Sequence, residues 1–301
     1  MYNRFRNEMF QRYNLARKEF LLHPETSIST EEYLTNFVCD IFKSNYDEFK
    51  CDYNEASFLH PFWANYPPDD RGRSPVGDQI PWIEVGEHSI GHKASRLISQ
   101  KISIREIGLP SGADNRFIVV DNHIRELTNG VTDKALMFLD IKSVGPRDNF
   151  DHTVVSPYQV SGDGIWDNPS DSLRNSVLTA KGNRAEHPFF PAIAPLYVLS
   201  DLSTAITVQL FVKPIYKMLS VEEPGSTGQP LEAITVACLP NGLLLTENPG
   251  YIKQYPSLLF PGKDDKGKPP LKVRCRVSFE LLRKIDAWRV QSIHGQIKLA
   301  T

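Results

Sequence analysis

In the stretch FLDIKSVGPRDNFD (138–151) an apolar run stops at a carboxylate, Asp140, and an ammonium group, Lys142, follows two positions later. Side chains of a strand alternate between faces, so Asp140 and Lys142 project together while Ile141 projects the other way. A strand running out into solvent would leave such a pair idle. The alternative is a metal-dependent phosphodiester hydrolase, and Asp114 in LPSGADNRF carries the chain toward that reading. It stands at the turn into the preceding strand, from which it can meet Asp140 at one end of a sheet. Two carboxylates there offer the oxygen donors that a hard divalent cation such as Mg2+ takes while keeping some waters. A neighbouring lysine can orient the attacking water or stabilise charge developing on phosphate. Glu84 or Glu87, in PWIEVGEHSIG, would be a further carboxylate; an exposed acid is the simpler reading of each. Acid-x-lysine triplets also occur at Glu48–Lys50 and Asp264–Lys266, but only Asp140–Lys142 follows a strand-forming run, ALMFL.

Other chemistry is excluded by spacing. His88 and His92 in HSIGH stand four apart, yet Ser89 occupies the place where a zinc protease helix needs glutamate. GKDDKGK (262–268) approaches a phosphate-binding loop, but Pro269 replaces the magnesium-binding hydroxyl and no apolar strand leads into it, so no nucleotide cofactor is expected. The four cysteines form no C-x-x-C pair and read as reduced thiols.

These residues need elements to hold them. The first fifty residues look helical, with Ser29 and Glu32 at capping-box spacing ahead of Leu34, Phe37, Val38, Ile41 and Phe42. FLHPFWANYPPDDRGRSPVGDQIPW (58–82) is rich in proline and glycine and predicts an ordered loop. A shorter helix is expected over Ser89–Gln100, exposing Lys93 and Arg96. Strands are expected at 116–121, 135–142, 204–212, 232–238 and 272–279, all short and β-branched. With no repeat and no linker, residues 1–301 predict a single α/β domain, a mixed central sheet with helices concentrated early. The charged N-terminus and the absence of a long apolar run predict a soluble cytoplasmic protein with no membrane partner.

The formal net charge of -2 hides an asymmetry: from residue 251 onward eleven Lys and Arg face four Asp and Glu, a balance of +7 that leaves -9 for the first 250 residues. That is the footprint of a nucleic-acid-facing side. KVRCRVSF puts Lys272, Arg274, Arg276 and Ser278 on one face and Val273, Cys275, Val277 and Phe279 on the other. A half-buried strand with solvated charges would read the same way, but three cations in a row repel one another unless an anion lies against them. Arginine bonds guanine bidentately in the major groove, and Lys263, Asp264 and Asp265 just upstream add a guanine donor and acceptors for the cytosine amino group.

Long segments, among them DYNEASFLHPFW (52–63), GDQIPWIEVGE (77–87), DIKSVGPRD (140–148), NPGY (248–251), PGKDD (261–265) and RCRV (274–277), resemble the BglI family of restriction endonucleases, within the PD-(D/E)xK nucleases. The resemblance implies a restriction-endonuclease-like fold with additional β-structure for DNA recognition. It implies a homodimer that cuts double-stranded DNA at the interrupted palindrome GCCNNNNNGGC with Mg2+, leaving 3′ overhangs. It assigns catalysis to Asp114, Asp140 and Lys142, adds the Ile141 carbonyl as a metal ligand, and assigns base reading to Asp148, Lys263, Asp265, Arg274 and Arg276. Ala113 stands where the wider superfamily has proline before the first aspartate. Two rival readings are another nuclease of the superfamily, such as a repair endonuclease, and a sequence-specific DNA-binding protein without catalysis, which needs only the basic strand.

Overall fold

The computed structural model describes residues 2–64, 85–142, 150–183, 185–216, 230–262, 268 and 273–295. Three helices open the chain: α1 (Tyr2–Leu22), α2 (Pro24–Ser44) and α3 (Tyr46–Ala64). The predicted start at Ser29 is overturned, because α2 begins at Pro24, a residue whose fixed φ and missing N–H suit a first helical turn. The loop expected from Phe58 is also corrected, since α3 runs on to Ala64. A π-helical turn (Glu87–Gly91) leads into α4 (His92–Ser99). Lys93, expected at the surface, is buried, with its Nζ 2.7 Å from Asp52 Oδ2 and 3.2 Å from Glu48 Oε2 of α3.

The chain then builds the strands β1 (Ser103–Glu106), β2 (Asn115–Val120), β3 (Lys134–Ile141), β4 (His152–Val155), β5 (Leu178–Gly182), β6 (Ala185–Phe189), β7 (Leu196–Val198), β8 (Thr204–Tyr216), β9 (Leu231–Leu239), β10 (Leu259–Pro261), β11 (Cys275–Ser278) and β12 (Val290–His294). The main sheet runs β1-β2-β3-β8-β9-β12, with β7 paired to β8. It is mixed, as expected, because β3 and β8 are parallel while the other pairings are antiparallel. Residues of β3 and β8 are buried almost end to end. Such strands lack the alternation of a half-exposed sheet because both faces are covered. On one face Met137, Leu139, Ile141, Val208, Leu210 and Val212 pack with Leu34, Val38 and Phe42 of α2. The other face carries Phe138, Asp140, Gln209 and Phe211 and meets the chain from 155 to 193 and the second sheet.

That second sheet is three-stranded, β10-β11-β4. β10 leads directly into Gly262, which corrects the expectation that no strand precedes the GKDDKGK segment. Of the strand predicted over 272–279, Cys275–Ser278 is observed as β11; Lys272 lies outside the described residues, and at the far end Ser278 caps a new helix (Phe279–Ile285) by accepting the Leu281 N–H. Its facial division is as expected: Val273, Cys275, Val277 and Phe279 are buried, Arg274 is exposed, and Arg276 and Ser278 are half-buried. All four cysteines are unbridged, and among the described residues no helix is long and apolar enough to cross a membrane.

A buried ion pair joins the ends of the chain. Arg289 Nη1 lies 2.8 Å from Glu31 Oε2, both side chains wholly excluded from solvent, and Glu31 Oε1 accepts the Asn241 N–H at 2.5 Å. Without such partners a buried carboxylate would be strongly disfavoured.

Candidate active site and candidate DNA-reading sheet

The antiparallel register of β2 and β3 pairs Asn115 with Leu139, which sets Asp114 beside the end of β3 where Asp140 stands. Asp114 Oδ2 accepts the Ile141 N–H at 2.6 Å. An extended residue directs its N–H and C=O to the same edge, so the Ile141 carbonyl also faces the Asp114 side. The Lys142 N–H instead donates to Val212 O of β8 at 2.7 Å, which anchors the strand end from the opposite edge.

Asp140 is 3% exposed. Its two oxygens have separate partners: Lys142 Nζ lies 2.6 Å from Oδ2, and Gln159 Nε2 donates to Oδ1 at 2.7 Å. Burial, reinforced by the Asp114 charge, lifts the Asp140 carboxyl to about 6, although Lys142 and Gln159 both pull it back down. Lys142 is partly open, with 28% of its side chain accessible, so the cluster faces outward at the ammonium.

The donor chemistry fits a hard divalent cation. Asp114, Asp140 and the Ile141 carbonyl contribute only oxygens from one sheet end, and the buried Asp140 Oδ2 accepts no hydrogen bond from the described residues. Among the described residues no group of three or more Asp, Glu, His or Cys side chains could hold a metal ion. Glu84 and the side chain of Glu87 lie outside those residues; His88 and His92 are exposed.

The structure brings together Asp114, Asp140 and Lys142, and it adds Gln159, which no motif had marked. The residues expected to read bases divide. Asp148, Lys263 and Asp265 lie outside the described residues. Arg276 sits at the centre of the small sheet, opposite Phe260 of β10 and Val154 of β4, and Arg274 immediately precedes β11. A Cβ placed on Gly262 would come within 1.8 Å of Arg276 Nη1. The guanidinium therefore lies across the Gly262 backbone, where PGKDD begins.

The restriction endonuclease BglI family matches residues 8–293. The chain belongs to that family. It is 49% identical over 297 residues to the type II restriction enzyme BglI of Bacillus subtilis, an alignment spanning 97% of this chain and 99% of the relative. The crystal structure of the restriction endonuclease BglI bound to its DNA recognition sequence shares 48% identity and a TM-score of 0.89, over 98% of this chain and 99% of that one. The enzyme class is accordingly type II restriction endonuclease. The tetrameric restriction endonuclease SfiI bound to cognate DNA, 14% identical with a TM-score of 0.58 over 90% of this chain and 85% of that one, shares the fold.

Proposed function

We propose that this chain hydrolyses phosphodiester bonds in double-stranded DNA at the interrupted G·C palindrome GCCNNNNNGGC, leaving 3′ overhangs, with Asp114, Asp140 and Lys142 as its catalytic residues. The observation that carries the reading is the bond from the Ile141 N–H to Asp114, which sets Asp114 beside Asp140, with Lys142 against Asp140. Asp114, Asp140 and the Ile141 carbonyl would hold Mg2+, which when bound polarises the scissile phosphate and lowers the pKa of a bound water. Lys142 directs its ammonium from the accessible side of the cluster, where it stabilises charge gathering on the phosphate or orients the attacking water. Asp140 holds Lys142 in that position and is itself held by Gln159.

Arg274 and Arg276, with Lys263, Asp265 and Asp148, read base edges in the major groove, guanine by the cations and the cytosine amino group by the carboxylates. A two-fold site is met by a two-fold protein, so the working unit is a homodimer in which each protomer reads one half-site. A plasmid carrying the palindrome, incubated with the protein with and without Mg2+, tests the reading. Metal-dependent cutting at that site is expected, and end sequencing gives the overhang. Sedimentation with a full-palindrome duplex should show two chains per duplex. Tight binding without cutting at any metal concentration would leave a DNA-binding protein in place of a nuclease.

A further inference from the structure

We infer that Gln159 is a positioning residue that fixes the plane of the Asp140 carboxylate, and that it does so from the backbone segment that also carries the DNA-reading sheet. The inference rests on the proposed catalytic role of Asp140. Gln159 is 8% exposed and both ends of its amide are engaged. Its Oε1 accepts the Ser156 N–H at 2.9 Å, and its Nε2 donates to Asp140 Oδ1 at 2.7 Å. The Ser156 N–H can donate only to the amide oxygen, so the NH2 group must face Asp140 and the amide cannot be turned round without breaking both bonds. Oδ1 is thus hydrogen-bonded to Gln159 while Oδ2 lies 2.6 Å from the Lys142 ammonium, so each oxygen of the carboxylate faces a different neighbour.

The setting of Gln159 gives this contact its meaning. It ends a 3-10 turn, Pro157–Gln159, that follows β4 after one residue. β4 pairs with β11, where Val154 stands opposite Arg276. The same turn touches the other carboxylate's support: Tyr158 O accepts the Gly112 N–H at 2.8 Å and the Ser111 hydroxyl at 3.1 Å, two and three residues before Asp114. One short turn thus braces both carboxylate-bearing segments and continues into the small sheet.

The test uses the full-length protein and three variants. Gln159→Met fills the space without a donor. Gln159→Glu keeps the acceptor that holds the turn but turns an acceptor toward Asp140, and Asp140→Ala serves as the inactive control. Metal-free dissociation constants for the cognate duplex report folding and site binding. Mn2+ binding to the protein on an uncleavable cognate duplex, followed by the free-ion paramagnetic resonance signal, reports the metal site. Single-turnover cleavage over a Mg2+ series separates the rate at saturation from the half-saturating concentration. Losing a residue that orients a metal ligand costs about 10–100-fold in metal affinity or activity. Both Gln159 variants should therefore lose roughly that factor in saturated rate or Mn2+ affinity while metal-free cognate binding stays within about twofold. Wild-type rates and Mn2+ affinity in Gln159→Met would overturn the inference, as would loss of cognate binding in both variants, which would make Gln159 a structural residue only. A wild-type protein that fails to cleave would instead sink the nuclease reading.

Discussion

The Asp114 carboxylate accepts the backbone N–H of Ile141 at 2.6 Å, so the acid just ahead of β2 is bonded to the main chain between Asp140 and Lys142 at the end of β3. The three proposed catalytic side chains are therefore positioned as a unit. Any change at Asp114 acts on two quantities, charge and geometry, and the two can be separated.

Asp114→Asn keeps an oxygen able to accept the Ile141 N–H and removes the charge, whereas Asp114→Ala removes both. Both variants should lose cleavage. Only Asp114→Ala should also lose stability, by about 1–3 kcal/mol, since it leaves the Ile141 donor without its partner. Urea unfolding beside a single-turnover assay reads the two effects; equal stability losses in both variants would contradict the separation.

Asp140 gives a pH prediction. Its carboxyl titrates near 6 in the fold, chiefly because of burial, against ~3.9 in an unfolded chain. The folded state thus binds the proton more tightly than the unfolded state. The metal-free protein should lose stability as pH rises from about 4 to 6 and change no further above that, by on the order of 3 kcal/mol from this group. Asp140→Asn lacks the titration, so the stability difference between variant and wild type should shift in the variant's favour by that order as pH rises through the window. Mg2+ added at pH 8 should recover stability in the wild type alone, because a ligand stabilises only the state that binds it.

Lys142 offers a further catalytic test, in which its loss also takes the ammonium away from the buried Asp140 carboxylate, so urea unfolding is read beside the rate. Lys142→Met should fold and bind the cognate duplex, yet lose about 10²–10³-fold in single-turnover rate, the range seen when one donor to developing charge is removed. An unchanged rate would return the lysine to a strand-end charge that merely pairs with Asp140.

Much of this site was legible because strands have a period of two. That period placed Asp140 and Lys142 on one face, and the turn at LPSGADNRF placed Asp114 at the adjoining strand end. Gln159 was not legible: it arrives from a turn nineteen residues after Asp140, outside any periodic element. The Glu31–Arg289 pair spans 258 positions and has no local signal. Strands β1, β4, β5 and β6, with sequences SIRE, HTVV, LTAKG and AEHPF, are too short or too polar to stand out by pattern. They are strands because neighbours supply their hydrogen bonds and cover. The start of α2 was misplaced because Pro24 at the first turn outweighed the Ser29–Glu32 spacing.

Buried on both sides, the Glu31–Arg289 pair predicts a strong asymmetry. Glu31→Leu alone takes the Nη1 partner from the buried guanidinium, which keeps Asp286 at 3.0 Å, and takes the acceptor from the Asn241 N–H; it should cost roughly 3–5 kcal/mol, part of which Arg289→Met should recover by removing the undercompensated cation. A double-mutant cycle with Glu31→Leu and Arg289→Met, followed by urea unfolding, should return a large coupling energy. Additive losses would show that the two residues stabilise the fold independently.

Arg276 and Gly262 carry the prediction about specificity. The guanidinium lies so close over Gly262 that a methyl group there would overlap Nη1 at 1.8 Å. Gly262→Ala must therefore displace either the loop or the arginine, without removing any charge. If Arg276 reads guanine, Arg276→Lys should lose about 1–3 kcal/mol of discrimination against a duplex altered at one G·C pair, because an ammonium lacks the planar fork. Binding to unrelated duplex, dominated by phosphate electrostatics, should hardly change in either variant. Gly262→Ala should then reproduce the discrimination loss of Arg276→Lys, and the combined variant should lose little more, since both act through one guanidinium. Competition titrations at fixed salt decide among three outcomes. Loss on the cognate duplex alone supports base reading, equal loss on both duplexes means that Arg276 touches phosphate, and no loss on either leaves the strand's cations as ordinary surface charge.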